Sequence, residues 1–155
     1  MAIKLPVRVL EEIAARREVY LTHRLKVPIS EEQYLWWDDV ITNHFDEAMQ
    51  TYSKVLSWTS YGGRNGCFST NMPTVLKIKF RGVAVAAHRF TYAVHCSMPL
   101  SQKQVARHQC ANFTCLNAAH IELGDQAQNF QDFIAASAYG VRWELLPRNP
   151  LETIL

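Results

Sequence analysis

The spacing Cys110-x4-Cys115-x4-His120 constrains this chain more than any other stretch of it. Two thiols and an imidazole are the donor types of a tetrahedral zinc site, and loops this short let them converge without help from distant parts of the chain. A structural zinc takes a fourth ligand. Cys67, just after the glycine-bearing stretch 61–66, and Cys96 are the two remaining candidates. Of these, Cys96 reads more simply as a small buried hydrophobe, the usual place of a free cysteine.

Two further residues flank the cluster. His108 stands two positions before Cys110, and Asn129 follows His120 by nine. A metal that pins Cys110 also steadies the backbone at His108, whose ordinary pKa of roughly 6.5 suits it to take a proton at neutral pH. Asn129 offers a neutral carbonyl oxygen, a hard donor of the kind Mg²⁺ accepts.

Composition sets the frame for this chemistry. At 155 residues the chain suits one domain able to hide roughly 70% of the surface of its unfolded form. The N-terminal stretch has scattered charge and no h-region, and no apolar run approaches the roughly 20 residues needed to span a bilayer. The expectation is an intracellular, cytoplasmic protein of a bacterium or phage-infected host, with no membrane partner. In a reducing compartment the four cysteines are tested against metal spacing before disulfides. A formal charge of +2 says little about nucleic acid, so the placement of charge matters more than its sum.

Periodicity divides the chain into a helical front and a mixed back half. Val9, Leu10, Ile13 and Ala14 fall at near-helical spacing over residues 8–20. After Pro28, Ser30-Glu31-Glu32-Gln33 has the form of a capping box leading into Trp36, Trp37, Val40 and Ile41, and a third helix is expected over 45–58. Trp36, Trp37 and Trp58 read as a packing layer. From 75 to 81 the sequence alternates, with Leu76, Ile78 and Phe80 on one parity and Lys77, Lys79 and Arg81 on the other, which predicts a strand with a basic outer face. Arg81-Gly82 then predicts a hairpin turn into a strand over 83–86, followed by a helix over 88–95. Short strands are expected at 105–107 and 118–123, a helix opened by Gly124-Asp125 over 125–136, and a C-terminal arm over 143–155. The whole is α+β: a helical region over 1–60, a zinc-bound core over 66–138 and the arm over 139–155, within one domain.

The stretch His108-Gln-Cys110-Ala-Asn112-Phe-Thr-Cys115-Leu-Asn117-Ala-Ala-His120-Ile-Glu-Leu-Gly124-Asp-Gln-Ala-Gln-Asn129, with Gly66-Cys67-Phe68 and Ala87-His88-Arg89-Phe90, resembles the zinc-containing HNH and His-Cys box endonucleases. The resemblance spans about 66–132. It implies a ββα-metal, or His-Me finger, core in which Cys67, Cys110, Cys115 and His120 bind one structural zinc, His108 is the general base and Asn129 holds the catalytic divalent ion. No cysteine follows Cys115, so the second zinc site of His-Cys box homing enzymes is missing, and the match is closer to single-zinc versions found in phages. Where the family commonly has Asn-Pro-x-His, this chain has Asn117-Ala-Ala-His120.

Together these features lead to the expectation of a Mg²⁺-dependent DNA endonuclease, whether of homing, phage or restriction-like role. Arg89 is a candidate for neutralising a phosphate oxygen through its planar fork of donors. His88 reads as a packed or supporting histidine, and Asp132 as orienting water or Arg89, or as a helix-surface ion pair. Lys77, Lys79 and Arg81 are candidate contacts to double-stranded DNA, since a two-stranded ribbon fits the major groove. A homodimer would let two chains cut both strands of a palindrome. The alternative is a zinc-stabilised DNA-binding protein without catalysis.

Overall fold

The computed structural model describes residues 5–24, 30–61, 66–70 and 72–146. Among them, five α-helices and three small antiparallel ribbons make an α+β fold. The helices are α1 (Val7–His23), α2 (Glu32–Asn43), α3 (Phe45–Leu56), α4 (Ala87–Cys96) and α5 (Gln126–Tyr139). The ribbons pair β1 (Ser60–Tyr61) with β2 (Phe68–Ser69), β3 (Lys77–Phe80) with β4 (Val83–Ala86), and β5 (Val105–His108) with β6 (Ile121–Gly124).

The front helices form because each carries an apolar stripe. α1 buries Val9 and Ile13, α2 buries Trp37, Val40 and Ile41, and α3 buries Ala48, Tyr52, Val55 and Leu56, all at the spacing that keeps side chains on one face. They close around α4, which is buried from Phe90 to His95 and so reads as the central helix of the molecule. Trp37 and Phe80 both lean on Phe90, at 6.0 and 5.2 Å between ring centres. One continuous apolar cluster runs from Leu5 through this layer to Ile121, so the helical front and the cysteine-bearing back share a core. Trp36 and Trp37 belong to that packing, whereas Trp58 is half exposed.

Local signals held with small shifts. The cap of α2 is Glu31 in place of the expected Ser30: its carboxylate accepts from the Gln33 and Tyr34 amides. A longer side chain one residue nearer the helix reaches the same orphan donors. Arg81 and Gly82 both take positive φ, 48° and 82°, as a two-residue hairpin loop of the favoured twist requires. Arg81 therefore sits in the turn, off the strand face, and pairs with Glu47 at 3.0 Å. Lys77 and Lys79 remain exposed on β3, opposite Ala86 and Ala84.

At the back, Asp125 and Gln128 form a reciprocal capping box that starts α5, and the helix continues to Tyr139. None of its residues is buried; Phe130, Phe133, Ile134 and Tyr139 lie exposed. The start of the expected arm instead turns back on the body, with Trp143 and Leu146 packed against Cys67, Cys110 and Cys115. The rest of that arm, 147–155, and most of the glycine-bearing stretch, 62–65, lie outside the described residues. Among those described, no helix is long and apolar enough to cross a membrane.

Candidate metal centre and active site

Cys110, Cys115 and His120 lie on the connection between β5 and β6, while Cys67 immediately precedes β2. Backbone bonds bring the two together. The Leu116 amide donates to the Phe68 carbonyl at 2.7 Å, Thr70 donates to Thr114, and Ser69 bridges to Cys115. Side chains complete the strap. Asn112 donates to Ser69 Oγ at 2.7 Å, and the buried Asn117 donates to the Gly66 carbonyl at 2.8 Å while accepting from the Ala119 amide. Ala111 takes a left-handed φ of 56° between Cys110 and Asn112, a conformation that costs an L-residue something of order 1 kcal/mol and survives because the surrounding ties over-determine it.

The result is a buried group of three thiols and one imidazole whose donor atoms all lie within 4.8 Å of one another. Cys67 Sγ and Cys115 Sγ are 3.6 and 3.7 Å from His120 Nδ1. Ligands at ordinary zinc distances on a tetrahedron stand about 3.5 Å apart, nitrogen to sulfur. The group could thus hold one metal ion, and its soft thiolates with an imidazole suit zinc. Hydrogen bonds from Cys110, Cys115 and His120 hold the Cys67 thiol far below the usual thiol range, and Cys110 is pushed far up by bonds to Cys115 and Cys67. Within the group the charged form is thus favoured at Cys67 and the neutral form at Cys110. Cys96 is no part of this group: it lies on α4, and burial raises its thiol to about 11.

His108 ends β5, and its Nε2 is 2.9 Å from the Cys115 carbonyl oxygen. Because a carbonyl only accepts, Nε2 carries the ring proton and the neutral ring has its lone pair on Nδ1. Burial is the main force lowering the His108 pKa, against the Cys115 carbonyl, which raises it. The ring also rests on His88 of α4, with centres 4.4 Å apart and planes at 41°. Its neighbours in sequence turn elsewhere. Arg107 forms a two-bond ion pair with Asp132 of α5, at 2.7 and 2.8 Å, and Gln109 reaches the same carboxylate at 3.3 Å. Strand β5 is therefore held by α4 through His108 and by α5 through Arg107 and Gln109.

Asn129 lies in the first turn of α5 with its side chain exposed, and no hydrogen bond joins its carboxamide to the described residues. No hydrogen bond or ring contact joins it to His108 among the described residues. Arg89 stands apart from both: its guanidinium donates to the carbonyls of Ser101 (2.6 Å) and Gln104 and to Gln33 Oε1. It ties α4 and α2 to the segment entering β5. Asp132 pairs with Arg107 of β5, a partly buried ion pair from helix to strand, where the expectation was a pair on the helix surface or a role in orienting water or Arg89. Residues that spacing alone did not single out for the site include Arg107, Trp143 and Leu146; an isolated Arg or Trp has no periodicity to betray it.

Comparison with protein-family models, with curated proteins and with solved structures finds no match for this chain.

Proposed function

We propose that this protein is a divalent-metal-dependent DNA endonuclease in which a zinc-held loop presents His108 as general base. The observation that carries this reading is the bond from His108 Nε2 to the carbonyl of Cys115, whose own sulfur belongs to the four-ligand group. A zinc bound there by Cys67, Cys110, Cys115 and His120 would lock the loop that sets the tautomer of His108, leaving Nδ1 free to accept a proton from water. Its lowered pKa keeps that ring neutral, as a base must be.

Asn129 is the residue assigned to the second metal. Its carboxamide has no partner in the described residues, and it lies on the same flank of α5 as Asp132, three positions on, which touches β5. A Mg²⁺ ion there would neutralise charge on the phosphoryl oxygens and the leaving 3′ oxygen. A single neutral protein ligand holds such an ion weakly, so the DNA itself completes the site. Lys77 and Lys79, flanked by the small Ala84 and Ala86, form the face of the β3–β4 ribbon assigned to duplex DNA. Small cross-strand partners let the ribbon approach a groove closely while the ammonium groups reach phosphates. Arg89 is assigned to holding the fold and not to the phosphate.

The test is cleavage of supercoiled plasmid with Mg²⁺, with and without a chelator. The expected result is nicked or linear product that needs the ion, and a loss of about 10²–10⁴-fold in His108→Ala with zinc content and DNA affinity retained. Wild-type cleavage by that variant would sink the mechanism. A second reading, a zinc-stabilised DNA binder without catalysis, draws on the exposed Asn129, whose carboxamide makes no hydrogen bond to the described residues. It predicts DNA retardation with no metal-dependent product from any substrate.

A further inference from the structure

The bond to Cys115 pins a single atom of the His108 ring, and a ring held by one hydrogen bond can still pivot about the axis of that bond. What stops the pivot is on the facing helix. His88, in the first turn of α4, lays its ring against that of His108 at 4.4 Å between centres. The Ala106 carbonyl, two residues back along β5, lies near the same imidazole. Its Nδ1 is buried and has no hydrogen-bond partner. A buried imidazole with half its hydrogen-bonding capacity unused costs about 1–3 kcal/mol in desolvation, so a purely apolar side chain would fill this space more cheaply if packing were its only task.

We propose that His88 is a positioning residue for His108: its ring face, laid against the His108 ring from α4, holds that imidazole at the one angle that keeps Nε2 on the Cys115 carbonyl and Nδ1 turned to the reacting water. As a statement about cleavage this rests on the nuclease reading; as a statement about the order of the His108 ring it does not. Burial lowers the His88 pKa to about 3, so this neighbour stays neutral and adds no repelling charge beside the base. Helix α4 is the most deeply buried helix of the fold, so the stack is delivered from a rigid support.

Two variants, His88→Ala and His88→Phe, are compared with wild type as zinc-loaded full chains. Single-turnover cleavage of plasmid is measured with enzyme in excess, DNA affinity by titration, and the His108 ring by long-range ¹H–¹⁵N correlation. In His88→Ala the single-turnover rate falls roughly 10- to 100-fold, the loss expected of a reacting group displaced by about 1 Å, while DNA affinity and zinc per chain stay at wild-type values. His88→Phe, which restores the face, recovers most of the rate. The His108 Nε2–H signal is sharp in wild type and in His88→Phe, and lost to exchange in His88→Ala. An unchanged His108 signal and rate in His88→Ala would overturn the proposal, as would a His88→Phe no better than His88→Ala. Should wild type cut no substrate, the nuclease reading fails, and the ring signal alone decides whether His88 orders His108.

Discussion

Around Cys67, Cys110, Cys115 and His120 every donor is buried and the loops that carry them are tied to one another by backbone bonds and by Asn112 and Asn117. Helix α5, which carries Asn129, buries none of its residues and meets β5 through the carboxylate of Asp132. The two regions are adjacent, yet their stabilities come from different sources. The cysteine centre is held by many mutually supporting bonds, to which a bound metal would add its own. α5 is held by few interactions, and segments of that kind open at the low end of a protein's free-energy range. In the proposed enzyme the base is preorganised, and the ion-binding helix is the part that DNA and Mg²⁺ draw into place.

The largest effect that could break this contrast is loss of a ligand. Cys115→Ser is expected to drop bound zinc from one ion per chain to near none, and to unfold the β5–β6 half, because binding and folding at such sites are coupled by on the order of 10 kcal/mol. Metal analysis and thermal melting decide it: full zinc and an unchanged Tm would mean the ligand set is wrong.

Next in size is the tie of α5. Asp132→Asn leaves Arg107, only 11% exposed, without its counter-charge, at a cost of about 2–3 kcal/mol, somewhat below a fully buried pair. Amide exchange should rise through α5 while zinc content holds. Acid sharpens the test. The guanidinium of Arg107 holds the Asp132 carboxyl below the ordinary carboxylate range, so the pair stabilises the fold fully above the unfolded value of about 3.9 and is lost as pH falls through the lower folded value. The stability gap between wild type and Asp132→Asn, measured by urea titration, should therefore be constant from pH 7 to pH 5 and shrink below pH 4.

A smaller effect is expected at Gly124, where β6 hands over to α5. A Cβ there would lie 2.6 Å from Arg107 Cδ and 2.7 Å from its Nη1, and would also crowd the Gln128 end of the capping box. Gly124→Ala should cost about 1–2 kcal/mol through forced movement of those side chains, read as a lower Tm at constant zinc. Smallest of all is Phe133→Ser. With its ring 67% exposed, the change should stay within about 0.5 kcal/mol in dilute monomer. A larger loss that depends on protein concentration would mean that a second chain covers α5, and the contrast between the two regions would then belong to the isolated chain only.

Much of the centre was legible because its determinants are local. Cys110, Cys115 and His120 are close in sequence, the Arg81-Gly82 turn declares itself through glycine, and Asp125 with Gln128 is a recognisable cap. The choice of Cys67 over Cys96 as fourth donor was a matter of family likeness until the β2 strap brought Cys67 within reach of the other three. Arg89 was a candidate phosphate contact, since an arginine in the first turn of a core helix carries no mark of the carbonyls it will meet. Glu31 in place of Ser30 is an offset of one residue that propensity cannot resolve, because either side chain can serve the Gln33 amide.

What the sequence by itself determined is the short-range chemistry: the cysteine and histidine spacing between Cys110 and His120, the alternation of β3, and the punctuation of each element. These follow from the fixed geometry of turns, strands and helices. The tertiary structure alone decided that Cys67 joins the group, that His108 rests between the Cys115 carbonyl and His88, that Trp143 and Leu146 cover the thiols, and that Asn129 sits on an unburied helix. Each of those depends on which surfaces meet across the core, and contacts between residues distant in the chain leave no periodic trace in it.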